Sequence, residues 1–411
     1  MNPSCLLLNL AIAMTMMVVM AMASSSPFIG IGGSIGVFIN NPNDSPPPSP
    51  SQDLNSDYYA LQAFKSAIAE DPNGLLTSWA GPNICSYRGI FCSIPQESLS
   101  DSQSQAVLAI DLNHANLKGT LVKELSLLSH LSILHLNSNR FSGTIPDSLQ
   151  NLHFLSELDL SNNHFSGPFP APALLIPNLI YLDLRFNSFS GEIPDELFEK
   201  DLDAIFLNDN QFEGQIPMSL WGSSASVITL ANNKLSGSIP ASFGYIRSNL
   251  KQILFLNNKL TGCIPEAIGY LNDVEVLDLS FNSLYGKLPG TVSCLSGIEV
   301  LNIGHNQLSG ELSDIVCDLR SLANLTVAYN FFSGFSQDCA KLFFRNVGFD
   351  FSGNCIPGRD MQRPEPECSQ VPGEGLSCLR TPVPKIVACA VAGIEGGRGY
   401  PFPSSLPSSI P

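Results

Sequence analysis

An asparagine recurs through the middle of this chain with an almost constant period. It falls at Asn139, Asn163, Asn187, Asn210, Asn233, Asn258, Asn282, Asn306 and Asn330, with gaps of 23 to 25 residues. Each sits in one pattern, as in Leu158-Asp-Leu160-Ser-Asn-Asn163-His-Phe165-Ser-Gly167 and Leu277-Asp-Leu279-Ser-Phe-Asn282-Ser-Leu284-Tyr-Gly286. A further copy, Ile110 to Gly119, places Ala115 where the asparagine belongs. One such unit is too short to bury a core alone, so the copies must stack and share a continuous one.

The pattern is the leucine-rich repeat signature. Seven copies continue into an apolar-Pro pair, Ile145-Pro146 through Leu288-Pro289, which marks the plant-type variant. The expected fold is an α/β solenoid: a right-handed leucine-rich repeat superhelix of about ten plant-type repeats, with a helical N-terminal cap and a Cys-rich C-terminal cap. The paired apolar residues belong on a short parallel strand and point inward. The asparagine amide is buried and must bond the backbone of neighbouring coils. Because each coil touches only its neighbours, both ends need covers.

Apolar residues at helical spacing in Tyr58–Ile68, then Trp79 and Cys85-Ser-Tyr-Arg-Gly-Ile-Phe-Cys92, predict the N-terminal cover, a helix plus a disulfide-stapled strand. Cys317, Cys339, Cys355 and Cys368 are expected to staple the other end. Cys317 and Cys339 lie nearly one coil apart and can meet, while Cys294 can instead pair with Cys317; spacing alone leaves the connectivity open. Cys378 and Cys389 can pair together, bridge two chains or stay free.

Residues Leu6–Ala23 are nearly all apolar and end in Ala21-Met22-Ala23, which reads as a secretory signal peptide that lacks a basic start. No later run reaches the roughly 20 apolar residues of a membrane span. The expected divisions are 1–23 signal, 24–56 Gly/Pro/Ser-rich leader, 57–106 N-terminal cap, 107–335 repeats, 336–368 Cys-rich cap and 369–411 flexible tail. Gly32-Gly33-Ser34-Ile35-Gly36 matches the nucleophile-elbow pattern, but a glycine-rich leader supplies neither the flanking strand and helix nor His and Asp partners. Asn43 and Asn324 head glycosylation sequons.

The net charge is −16 and charged residues make up only 14% of the chain. Such a chain repels nucleic acid and suits a basic partner. Residues between and just after the apolar pairs are expected to line the concave face. Acidic and aromatic ones recur there: Glu157, Asp159, Tyr181, Asp183, Arg185, Phe186, Phe206, Asp209, Asp278 and Phe281, with His305 and Tyr329 further along. Carboxylates beside aromatics fit a basic peptide better than a neutral sugar. His114, His135 and His164 come from successive coils but read as surface residues, so no metal, cofactor or catalytic group is expected.

Beyond the repeat consensus, Cys85–Cys92, Asp111-Leu-Asn-His-Ala115, Leu182-Asp-Leu-Arg-Phe-Asn187, Leu260-Thr-Gly-Cys-Ile-Pro265 and above all Lys200-Asp-Leu-Asp-Ala-Ile-Phe-Leu-Asn208 closely resemble the plant leucine-rich repeat extensin family. The resemblance runs from about Tyr58 to Cys368. It implies a non-enzymatic, secreted, cell-wall protein that binds small basic Cys-rich peptides of the rapid alkalinization factor type, with a homodimer among its forms, and that regulates wall assembly and growth. Wall polysaccharide is a further partner to consider. The chain departs from the family pattern after Cys368, where 43 residues with scattered prolines stand in place of a long Ser-Pro-Pro-Pro-Pro tail. The competing expectation is a binder or inhibitor of a wall enzyme, as in the polygalacturonase-inhibiting proteins that share this repeat type.

Overall fold

The structure is a computed structural model that describes residues 52–95, 105–241, 249–371 and Cys378. The expected signal, the leader through residue 51 with its Gly32–Gly36 motif, the sequon at Asn43, Cys389 and nearly all of the tail lie outside the described residues; residues 52–56, read as leader, are helical.

Short strands, three residues each after the first two, form a 12-stranded sheet that runs in chain order from Ile90–Ser93 and Ala106–Asp111 to Asn324–Thr326 and Gly348–Asp350. The first pair is antiparallel and the rest are parallel, in strict register: Glu157 faces Tyr181, Leu158 faces Leu182 and Asp159 faces Asp183. The alternation of a strand sends Leu158, Leu182, Ile205 and Ile228 inward, all with no exposed surface. Opposite this long sheet run two shorter ones, Ile68–Glu70 to Gln211–Glu213 and Ser236–Ser238 to Phe331–Phe335. The apolar-Pro pairs lead into single 3-10 turns such as Asp147–Asn151 and Glu266–Tyr270, with Pro146 and Pro265 as their N-caps. Proline suits that place because it has no N–H to satisfy and its φ is already set.

The asparagine ladder takes the expected form. Asn163 Nδ2 donates to Leu136 O at 2.9 Å in the preceding coil and to Leu160 O at 3.2 Å in its own, while its Oδ1 accepts from Phe141 N at 2.9 Å. One amide thus ties two coils together and leaves no buried polar group unpaired. The ladder runs one rung beyond the nine asparagines read from the sequence: Asn354, fully buried, accepts from Phe332 N and donates to Val327 O, each at 3.0 Å.

Packing fixes the ends. Helix α1 (Gln52–Ser66) sets Phe64 on the first coil, where it begins a line of buried rings: Phe64, Phe141, Phe165, Phe189 and Phe212, with successive centroids 5.8 to 6.3 Å apart. Asp57 Oδ2 accepts from Val107 N at 2.9 Å, and Asn73 Nδ2 donates to Ala115 O at 3.0 Å. These bonds tie the N-terminal cap to the first coil. At the far end, Arg345 donates to the carbonyls of Cys317, Leu319 and Arg320.

Cys85–Cys92 and Cys317–Cys339 pair as the spacing allowed, and the other two cysteines expected in the C-terminal cap join each other as Cys355–Cys368. The alternative bond between Cys294 and Cys317 is therefore excluded; Cys294 is disulfide-bonded elsewhere. The fourth described bridge was not foreseen. Cys378 returns to Cys263, 115 residues earlier, on the flank that carries the shorter sheets.

Candidate ligand-binding face

The outward positions of the long sheet gather the residues picked from the sequence into adjacent columns, but their environments differ. Glu157 and Asp159 are partly exposed. Glu157 Oε2 lies 2.9 Å from His135 Nε2 of the previous strand, and this bond holds the carboxyl below its usual range. Burial opposes protonation of His135, yet Glu157, Asp159 and Asp111 together raise its pKa. His135 therefore belongs to an ion pair across two coils; among the described residues no group of three or more His, Cys, Asp or Glu is placed to hold a metal.

One coil further, Tyr181, Asp183, Arg185 and Phe206 form a compact unit. Arg185 Nε lies 2.9 Å from Asp183 Oδ2, a charge contact without good hydrogen-bond alignment. Arg185 N donates to Asp183 Oδ1 at 3.1 Å, and Tyr181 Oη donates to Asp183 Oδ2 at 3.3 Å. The guanidinium sits 4.9 Å over the Phe206 ring. Burial drives the Asp183 carboxyl up to about 7 against the pull of Arg185. Tyr181 is likewise pushed up by burial and by Asp183.

Three residues expected to project into solvent do not reach it. Asp183 is 0% exposed, Asp278 7% and Phe206 7%. Asp183 is covered by its own unit. Asp278 accepts from Ser280 N and Oγ through Oδ1 and from Asn302 Nδ2 at 3.0 Å through Oδ2, and burial raises its pKa. Both carboxyls lie on the expected face but serve its internal bonding. Asp209 remains half-buried and accepts from Asn208 and Asn232.

Phe186 and Phe281 occupy a different register, the residue just before the ladder asparagine, where every coil adopts a left-handed backbone. Phe281, His305 and Tyr329 stack there with centroids 4.0 and 4.3 Å apart. Burial lowers the His305 pKa, with Asp350 opposing and Arg363 adding to the effect. The common position of these three residues, 24 apart, was visible in the sequence; their stacking was not. Asn324 is exposed on the last coil but one, with Thr326 Oγ1 donating to its Oδ1 at 3.2 Å.

Comparison with known proteins agrees with this geometry. The leucine rich repeat N-terminal domain matches residues 54–93, and the leucine rich repeat matches 130–152, 154–173, 178–199 and 273–295. Fold and repeats together define a leucine-rich repeat protein with its own N-terminal cap. Within that class the chain is a relative of the leucine-rich repeat extensin-like proteins. It is 52% identical to leucine-rich repeat extensin-like protein 2 of Arabidopsis thaliana over 80% of this chain and 41% of that protein. It is 61% identical to leucine-rich repeat extensin-like protein 7 of the same plant over 56% of this chain and 52% of that one. The chain spans from 16% to 52% of the length of the curated relatives it matches. Among solved structures it resembles the Arabidopsis HAESA receptor kinase ectodomain in complex with an IDA peptide hormone ligand, at 26% identity and a TM-score of 0.58, over 74% of this chain and 54% of that one. No helix among the described residues is long and apolar enough to cross a membrane.

Proposed function

We propose that this chain is a secreted, wall-associated, non-enzymatic scaffold that binds a basic Cys-rich signalling peptide of the rapid alkalinization factor type on the long-sheet face. In this role it modulates wall assembly or growth. The observation that carries the reading is the row of partly exposed acids Glu157, Asp159 and Asp209, flanked by Tyr181, Arg185 and Phe186. Acids of one sign gathered on one face focus potential toward a cationic ligand. The disulfides fit an oxidising compartment outside the cell. The extensin-like relatives and the peptide-bound HAESA neighbour support the same assignment.

Binding is measured by calorimetry against a folded basic Cys-rich peptide and against a pectin hydrolase, at low and high salt. Peptide binding that weakens with salt is expected, because exposed charges are screened. Hydrolase inhibition without peptide binding would replace this reading with that of an enzyme inhibitor.

A further inference from the structure

Near its far end the long-sheet face presents an asparagine whose amide nitrogen the fold leaves unused. We infer that Asn324 carries an N-linked glycan. Its consequence rests on the peptide-binding reading: the glycan closes the far end of the face and confines a folded ligand to the acidic coils at 111–209.

Asn324-Leu325-Thr326 is an acceptor sequon and also a strand of the long sheet. Strand alternation buries Leu325 and sends Asn324 and Thr326 to the outward side together. Two neighbouring asparagines are fully spent. Asn330, in the same coil, has no exposed surface; its Nδ2 donates to Ile303 O at 2.9 Å and to Val327 O at 3.1 Å, and its Oδ1 accepts from Leu308 N at 2.9 Å. Asn302, opposite Thr326 on the preceding strand, donates to Asp278 Oδ2 and Ser280 Oγ and accepts from Gly304 N. Asn324 differs from both. It is exposed, and only its Oδ1 is engaged, by Thr326 Oγ1 at 3.2 Å. Among the described residues nothing accepts a hydrogen bond from its Nδ2. Gly348 stands opposite on the last strand, and a Cβ there would lie 3.0 Å from Asn324 Nδ2. The amide nitrogen therefore lies beside bare backbone, where a larger residue would crowd a substituent.

Glycosylation forms a bond from Nδ2 to the anomeric carbon of a lipid-diphosphate-linked oligosaccharide. The bond from that carbon to the diphosphate oxygen breaks, the lipid diphosphate leaves, and the amide nitrogen releases a proton. The folded chain accommodates so bulky and hydrated a group because the accepting amide already faces water.

Position on the sheet sets what the glycan does. The outward register of Asn324 passes back through Val300, Val276, Gln252 and Val227 to Ala204. Five strand spacings separate Asn324–Thr326 from Ala204–Phe206, the strand that leads to Asp209, or about 24 Å at ~4.8 Å each. A glycan rooted at Asn324 thus stands over the final coils and leaves the acids at Glu157, Asp159 and Asp209 open. Val227 holds the same register one strand beyond Ala204–Phe206 and is followed by Ile228 and Thr229, so a single substitution completes a sequon beside the acids.

The full chain is secreted from plant cells, and mass spectrometry reads the peptide that contains Asn324. A glycan on Asn324 is expected in the native protein and its absence in Thr326→Ala, which keeps the asparagine. A bare Asn324 in the native protein overturns the site. Asn324→Gln is the second variant should Thr326→Ala not be secreted. A folded basic Cys-rich peptide is then titrated by calorimetry. Native protein and Thr326→Ala should bind it within about twofold of each other, because the ligand sits away from the glycan. The Val227→Asn glycoform should bind it at least about tenfold more weakly and recover when its glycan is removed enzymatically. Binding about tenfold tighter in Thr326→Ala would place the ligand at the far end, which overturns the confinement while the peptide-binding reading stands. Full affinity in the Val227→Asn glycoform, or no binding by any of these proteins, overturns the reading on which the confinement rests and leaves an occupied Asn324 standing.

Discussion

Asp183, the last residue of its strand, and Arg185, two residues further on, close on each other at the long-sheet face, with Arg185 Nε 2.9 Å from a carboxyl group that has no exposed surface. The carboxyl titrates near 7 because burial disfavours its charge more than Arg185 favours it. The folded state therefore holds this proton more tightly than the unfolded chain does. Its contribution to stability is full below the ordinary Asp pKa of 3.8 and is lost as pH rises toward 7. Asp183→Asn cannot titrate, so the stability advantage of the native protein over this variant should shrink between pH 4 and pH 7. Urea unfolding of both proteins at the two pH values checks the sign. An advantage that grows with pH would show that the Arg185 contact outweighs desolvation.

Glu157 reaches solvent where Asp183 does not, so it is the acid whose loss should be felt by a cationic ligand. Glu157→Gln keeps the size and a hydrogen-bonding oxygen for His135. Affinity for a basic peptide should fall by about fivefold, equivalent to ~1 kcal/mol, and the salt dependence should flatten. Calorimetry at two salt concentrations measures both. The same titration with Asp183→Asn should show little change in affinity.

Removal of one ladder amide should destabilise two coils together. Asn306 Nδ2 donates to Leu279 O and Ile303 O, and its Oδ1 accepts from Leu284 N. In Asn306→Ala these buried groups lose their partner, at about 1–3 kcal/mol for each group left unsatisfied. The midpoint of urea unfolding should drop accordingly. A loss below ~1 kcal/mol would mean that water replaces the amide.

The phenylalanine line offers a graded test. Phe165 is fully buried between Phe141 and Phe189. Phe165→Ala should cost about 3–5 kcal/mol. Phe165→Leu should cost far less, since Leu235, Leu260 and Leu284 fill the same position in later coils. Equal losses would assign the cost to ring stacking rather than to volume.

The bridge from Cys263 to Cys378 depends on a glycine in the neighbouring coil. A Cβ on Gly286 would lie 2.3 Å from Cys378 Sγ, and its φ of +83° already disfavours any other residue. Gly286→Ala should leave two more thiols titratable in the unfolded protein than the native chain shows. Cys263→Ser with Cys378→Ser should reduce stability by about 2–4 kcal/mol. Intact thiol counts in Gly286→Ala would show that the flank shifts to admit a methyl group.

The repeat itself, all but its last rung, was legible in the sequence. The recurrence of Asn, the paired Leu and the closing Gly dictates stacking, because no coil can bury its apolar pair alone. It also set which residues face outward, since a strand alternates sides. The caps were legible too: the spacing of Cys85 and Cys92 announced one, and the pairings at Cys317–Cys339 and Cys355–Cys368 followed the expected cluster. The sequence carried less about exposure. Asp183, Phe206 and Asp278 occupy outward positions, yet their neighbours cover them. Whether an outward side chain meets water depends on the length and rotamer of the residues beside it on the next strand, which periodicity does not encode. The stacked Phe281, His305 and Tyr329, the last rung at Asn354 and the long return of Cys378 to Cys263 were decided the same way. Each joins residues one or more coils apart through contacts that exist only once the coils are stacked.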